Sequence, residues 1–181
     1  MEPIERLIEE WDGEQVVVRY DRPSDTWMFV CIHSTALGPA GGGTRMRVYA
    51  TPADALADGM RLASAMTRKM AVVDVPRGGG KAVLAVPELP TGQERTELLR
   101  RYGELVQSLG GTYRTACDMN TTPADMDVIS ERCSFVYGRT KAAGGAGESG
   151  VGTARGVFHG IRATVAHVFE SPSLEGRTVV I

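Results

Sequence analysis

The chain alternates short apolar runs, bounded by Gly and Pro, with longer stretches of helical period, and two of those stretches open on the same four residues, Thr-Pro-Ala-Asp. At 51–54 and again at 122–125 this signal supplies Thr as N-cap, Pro at the first helical position and an acid at the third, where it favours the helix dipole. Short strands alternating with amphipathic helices point to an α/β fold: a three-layer α/β/α domain with a mostly parallel sheet, over about residues 1–140. At 181 residues there is room for one ordinary domain, or for one domain and the first piece of a second.

Along the chain, PIERLIEEW (3–11) predicts a short amphipathic helix, and VVVRYDRPSDTWMFVCIHS (16–34) predicts two strands around the turn Arg22-Pro23-Ser24-Asp25. Gly38 and Gly41 to Gly43 predict a loop that lets backbone approach a ligand, ahead of a strand. The helix from Thr51 is expected to reach about Arg68, with Leu56, Met60, Ala63 and Met66/Thr67 on its buried stripe. AVVDVP (71–76) predicts a strand, Arg77 to Lys81 a turn and AVLAVP (82–87) another strand, so that Lys81 falls at a strand edge. Thr91 to Glu94 has capping-box spacing ahead of a second long helix closed by Gly110-Gly111. TYRTACD (112–118) reads as a strand ending on Asp118, between a strand end and a helix start, where open α/β sheets bind ligands. FVY (135–137) reads as a further strand, a third long helix runs from Thr153 to near Glu170, and the final TVVI reads as the opening of a strand that lacks its sheet.

Hydrophobic residues make up 43% and charged residues 23%, with a net charge of −2 and both signs interspersed, so the chain buries a core and shows no nucleic-acid or anionic-membrane footprint. The acidic N-terminus has no leader pattern and no run approaches the roughly 18 apolar residues of a membrane span, so the expected compartment is the cytoplasm. Cys31, Cys117 and Cys133 form no CxxC and no histidine stands at metal-ligand spacing, which argues against a disulfide scaffold and against a metal site.

Of the 20 basic side chains only Lys69, Lys81 and Lys141 are lysines. An ammonium can lose its proton when buried and a guanidinium effectively cannot, so lysines kept in an arginine background point to proton transfer or to a compact point charge; chance placement is the plainer alternative. Lys69 and Lys81 both stand in segments that look buried. Other strings fall away. Gly145 to Gly150 matches GxGxxG, but no strand feeds directly into it, and it reads as a flexible loop rather than a dinucleotide turn. GGGK is not a P-loop, because Val75 stands at the first glycine and Ala82 at the Ser/Thr. Cys117 alternates to the strand face opposite Asp118. What remains is the glycine loop 41–43, Lys69, Lys81 and Asp118: two ammonium groups and a carboxylate around pliable backbone, a set that suits a zwitterionic substrate. Lys/Asp pairs with a purely structural role would look the same.

The segments HSTALGPAGGGTRMR, AMTRKMAVVDVPRGGGKAVLAVP, TACDMNTTPADMD, GRTKAAGGAGESG and SLEGRTVVI, in that order over about residues 30–181, resemble the amino-acid dehydrogenases of the glutamate/leucine/phenylalanine/valine family, near its leucine, valine and phenylalanine branches. The resemblance implies NAD-dependent oxidative deamination of an apolar L-amino acid to the 2-oxo acid and ammonia, and a homo-oligomer built largely through this domain. An exposed hairpin edge at 15–34 is a plausible contact for that assembly. By motif it implies that Lys69 binds the substrate carboxylate together with backbone at Gly42, that Lys81 is the base that activates water, and that Asp118 supports proton transfer at the amine.

Three positions bear on the substrate. Gly41 stands where branched-chain enzymes usually carry Leu, which implies room for a larger side chain, and Tyr137 in FVYGR is similar to the phenylalanine branch, whereas Ala116 resembles the leucine and valine branches. The signals conflict and leave the amino acid open. The resemblance divides the chain into a substrate-binding, catalytic and oligomerisation domain (1–140), a loop and connector helix (141–172) and the start of a dinucleotide-binding domain (173–181). Family members continue from LEGRTVVI into a complete Rossmann domain that holds the nucleotide, so a truncated dehydrogenase is expected; the alternative is a stand-alone amino-acid-binding or assembly module.

Overall fold

Alternating side chains along the strands divide the apolar residues between two faces of one sheet, and helices cover both. The computed structural model describes residues 4–180. Its elements are α1 (Ile4–Trp11), β1 (Gln15–Asp21), a 3-10 turn (Arg22–Ser24), β2 (Thr26–Ser34), β3 (Ala40–Arg47), α2 (Pro52–Val72), β4 (Gly78–Ala85), α3 (Gly92–Ser108), β5 (Tyr113–Cys117), α4 (Pro123–Ser130) and α5 (Gly150–Phe169). The sheet order is β1-β2-β4-β3-β5. β2 runs antiparallel to both β1 and β4, while β3 is parallel to β4 and β5, so four strands share one direction and β2 alone opposes them.

On one face Met28, Val30, Ile32, Met46 and Leu84 pack under Leu98, Leu99 and Tyr102 of α3 and Met126 and Ile129 of α4. On the other, Phe29, Cys31 and Val83 meet Ala55, Leu56, Met60 and Ala63 of α2. Each fully buried Leu, Ile or Met contributes about 1.5–3 kcal/mol of transfer free energy, and the alternation Met28/Phe29/Val30/Cys31 fixes which face each side chain takes. The three-layer architecture expected from the alternation is the one observed.

Several local expectations change. Gly41 to Gly43 lie inside β3, a strand paired on both sides, and not in a loop. A side chain at Gly42 would overlap the Gly80 carbonyl of β4, so glycine permits this approach of neighbouring strands instead of loosening a turn. The segment 71–76 is not a strand. α2 carries on to Val72, four residues past the expected end, and Asp74 then takes a left-handed conformation (φ 53°) while the Val75 N–H donates to the Met70 carbonyl. Val72 and Val73 are exposed, so the β-branched run that suggested a strand buries nothing there. Gly78 to Lys81 of the predicted turn instead open β4, which places Lys81 inside a central strand rather than at a strand edge.

Thr91 precedes α3 without a side-chain capping bond, whereas Thr122 and Asp125 form the full reciprocal box at α4. FVY contributes a single parallel bridge, Thr115 with Val136. Residues 178–180 form no strand, and Pro3 and Ile181, at the ends of the predicted first helix and last strand, lie outside the described residues.

The chain divides into two compact units after Gly147. In the first, the Gly/Ala-rich segment closes on itself, with Gly145 N–H donating to the Thr140 carbonyl and Gly147 N–H to the Arg139 carbonyl, and Thr140 anchors it to Asp127 of α4. The second contains α5, which begins at Gly150, three residues before the expected Thr153.

Candidate active site

Three neighbouring strands, β3, β4 and β5, bring their side chains to one carboxylate. Lys81 leaves the middle of β4 on the α2 side of the sheet, with a side chain only 6% exposed, and its Nζ lies 2.9 Å from Asp118 Oδ2. Asp118 stands immediately after β5, and its backbone is fixed by its own N–H donating to Thr121 Oγ1 (2.9 Å), whose hydroxyl in turn donates to the Thr44 carbonyl of β3 (2.8 Å). Asn120, at φ 60°, sews the same loop to the end of β3 by donating from Nδ2 to the Met46 carbonyl. Between β4 and β5 runs β3, and glycine at position 43 is required: a Cβ there would stand 2.8 Å from Asp118 Cβ.

Arg45 of β3 is the third member, and sequence reasoning missed it. Its Nε donates to Asp118 Oδ2 at 2.9 Å and its Nη1 to Asp58 Oδ2 of α2 at 2.8 Å. Asp58 is held further by Tyr49 Oη (2.8 Å) and Arg61 Nη2 (2.7 Å). Lys81 and Arg45 thus use the same oxygen of Asp118, and Oδ1 accepts no hydrogen bond from the described residues. A signal was available in the strand period: Gly41, Gly43 and Arg45 share a face, the same one that Lys81 takes on β4. In a chain with arginine at almost every basic position, nothing else marked it.

The charges interact strongly. Burial pushes the Lys81 ammonium below its ordinary value, against the pull of the Asp118 hydrogen bond and charge, and the Arg45 charge adds to the lowering. Burial alone would raise the Asp118 carboxyl, but Lys81 and then Arg45 outweigh it and hold the group below the usual carboxylate range. A buried lysine whose proton is destabilised, next to a carboxylate kept ionised, can cycle a proton near a bound zwitterion.

The other predicted residues are placed as follows. Lys69 lies in the last turn of α2 and is exposed, in contrast to the buried segment expected for it. Gly42 is in β3, where its carbonyl accepts the buried Tyr113 hydroxyl at 2.7 Å. Ala116 is half-buried in β5 and pairs with Gly43. A Cβ at Gly41 would meet only the Met70 methyl, at 3.8 Å, so Met70 of α2 stands over the space that glycine leaves. His33 is engaged elsewhere, 2.9 Å from Thr67 Oγ1. Among the described residues no cluster of His, Cys, Asp and Glu could hold a metal ion, and no helix is long and apolar enough to cross a membrane.

Comparison with known proteins bears on the fold and the family. The family model described as Glu/Leu/Phe/Val dehydrogenase, dimerisation domain, matches residues 22–135. The chain is 48% identical over 168 residues to a valine dehydrogenase of Streptomyces coelicolor, covering 93% of this chain and 46% of that protein. It is 39% identical over 176 residues to a leucine dehydrogenase of Geobacillus stearothermophilus, covering 97% and 47%. Among solved structures, L-tryptophan dehydrogenase from Nostoc punctiforme superposes with a TM-score of 0.72 at 37% identity, covering 96% of this chain and 48% of that one. The chain therefore spans about half the length of the relatives it matches. With the family model covering most of the sheet and its helices, and with relatives named as amino-acid dehydrogenases along nearly the whole sequence, this chain belongs to the Glu/Leu/Phe/Val dehydrogenase family.

Proposed function

We propose that this chain binds an apolar L-amino acid and supplies the acid–base half of its NAD-dependent oxidative deamination to the 2-oxo acid and ammonia. The observation that carries this reading is the 2.9 Å contact between a buried Lys81 Nζ and Asp118 Oδ2. Bound NAD would supply the hydride acceptor for this reaction. The described residues do not fit as its cradle: the glycines at 145 and 147 are accounted for by the loop that closes onto Arg139 and Thr140, and no strand feeds it. The steps derived for this chain are accordingly those of the amino acid and of water.

Lys69, exposed and unpaired among the described residues, meets the substrate carboxylate, with Gly42 backbone beside it. Asp118 presents Oδ1 to the amine and accepts or returns its proton. Lys81 in its neutral form takes a proton from water as the water oxygen bonds to the imino carbon and the C=N electron pair moves to nitrogen. Gly41, Met70 and Ala116 border the space for the side chain. Copies of the chain associate through this domain, in keeping with the family model's description and with the exposed β1 edge at Val18 and Tyr20. Sedimentation of the natural protein checks the last point, and a monomer throughout the micromolar range removes it.

The deciding experiment is Lys81→Ala in a protein with an intact nucleotide domain. NADH production is expected to fall by about 10²–10⁴-fold with substrate binding largely kept. Turnover near the parent value removes Lys81 as the base.

A further inference from the structure

Asp118 faces a conflict built into its role. One of its counter-ions, Lys81, must lose its proton to act on water, and with Lys81 alone a half-buried carboxylate would at that moment be left without compensation. The structure supplies a second cation on the same oxygen, and this one cannot be neutralised, because a guanidinium keeps its proton. Arg45 is itself aimed from outside the pair. Nη1 is bound to Asp58, whose carboxylate is clamped by Tyr49 and Arg61, so the guanidinium spans two carboxylates on two elements with its side chain 14% exposed.

We infer that Arg45 is the positioning residue of the Lys81–Asp118 pair: it holds Asp118 as an anion with Oδ1 turned free, and lets Lys81 shed its proton, while Asp58 on α2 fixes the direction of the guanidinium. This deepens the function proposed above and rests on it for the meaning of the Lys81 proton, though not for the electrostatic effect itself.

The charged groups that act on Lys81 are Asp118 from the end of β5, Arg45 from β3 and Asp58 from α2; Tyr49 and Arg61 are bound to Asp58, and Cys31, whose buried thiol is pushed up to about 12, is the register partner of Lys81 on β2. Arg45 and Asp58 act on the Lys81 ammonium with opposite signs: the guanidinium lowers its affinity for a proton and the Asp58 carboxylate raises it. A merely structural role for the Arg45–Asp58 bridge predicts no such opposition, since breaking it from either end loosens the same contact.

The test reads Lys81 directly, without turnover. With only three lysines in the chain, competitive acetylation followed by peptide mass spectrometry gives a titration midpoint for each, and exposed Lys141 is the internal reference. Arg45→Gln is expected to move the Lys81 midpoint up by about one pH unit and Asp58→Asn to move it down, with Lys141 unmoved. Arg45→Lys, which keeps the charge and loses the two-pronged geometry, should fall between Arg45→Gln and the parent. Midpoints unchanged in both variants, or moved in the same direction by both, overturn the inference. If Arg45→Gln does not fold, Arg45→Lys and Asp58→Asn still give opposite shifts or refute it. In a protein with its nucleotide domain, the rising limb of kcat against pH should follow these midpoints with KM little changed. Full turnover by Lys81→Ala would sink the base assignment while leaving the opposed acetylation shifts standing, so the two failures are distinguishable.

Discussion

At the scale of single residues, the scarce types were legible and the abundant one was not. Lys81 and Asp118 stood out because lysine is rare here and because the acid follows a strand; the structure brings them to 2.9 Å. Arg45 was one arginine among many, and its importance depends on a neighbour, Asp58, that reaches it only when α2 packs on the sheet. Lys69 looked buried from its apolar surroundings, yet α2 meets the sheet along Ala63, Thr67 and Met70, and Lys69 lies off that line, exposed at the last turn. That placement gives it a different expected signature from Lys81. Lys69→Ala should raise KM by about tenfold or more, corresponding to about 1.4 kcal/mol, with a smaller fall in kcat. Steady-state kinetics over a range of amino-acid concentrations measures both, and an unchanged KM removes Lys69 from carboxylate binding.

At the scale of elements, the helix starts at Thr51, Thr91 and Thr122 are legible because their signal is local, whereas the start of α5 and the strands around 71–81 are not. The valines at 72 and 73 carry strand propensity, but the helix hydrogen bonds run on through them and the sheet position goes to the glycines that follow. Glycine is a poor strand former by propensity, and distant neighbours explain it here: a Cβ at Gly78 would meet the Ser34 carbonyl of β2, one at Gly79 would meet Thr67 of α2, and one at Gly80 the Tyr113 ring of β5, long-range facts that no window of sequence contains. The two Thr signals also separate in structure. Thr122 accepts from the Asp125 N–H while Asp125 bonds back to Thr122 and pairs with Arg95 at 2.7 Å. Thr91 makes no capping bond. Thr122→Ala should therefore cost about 1 kcal/mol and Thr91→Ala a few tenths at most. Urea unfolding of the two variants compares them, and equal losses contradict the assignment.

At the scale of the whole molecule, the layer order followed from alternation, but the strand order did not, because which strand neighbours which depends on crossovers rather than on local pattern. The hairpin is tied to the opposite layer by Asp21, whose side chain is 5% exposed and whose oxygens take Arg101 Nε and Nη2 of α3 at 2.7 and 2.8 Å. Burial would raise the Asp21 carboxyl, but Arg101 and Ser24 hold it below the ordinary 3.8, and Asp58, Asp118 and Asp125 are lowered in the same sense. Groups whose folded value is depressed contribute stability that is present above 3.8 and is lost as pH falls through the lower folded values. Asp21→Asn is expected to cost about 1–3 kcal/mol at neutral pH and to flatten the acid limb of the stability curve. Denaturant midpoints at neutral and acid pH test this, and a variant that loses stability in parallel with the parent as pH falls contradicts it.

The strand order carries one more consequence. β2 and β3 follow each other in the chain but are not neighbours in the sheet, because β4 is inserted between them. A nascent chain that has emerged only as far as Pro76 holds two strands whose facing edges have nothing to bond, and the sheet cannot zip up in the order of synthesis. The strand that fills the gap is the one that bears Lys81. The gap between β2 and β3 is thus filled by the strand that carries the proposed base, and the pair it forms with Asp118 waits on β5, the last strand to be made.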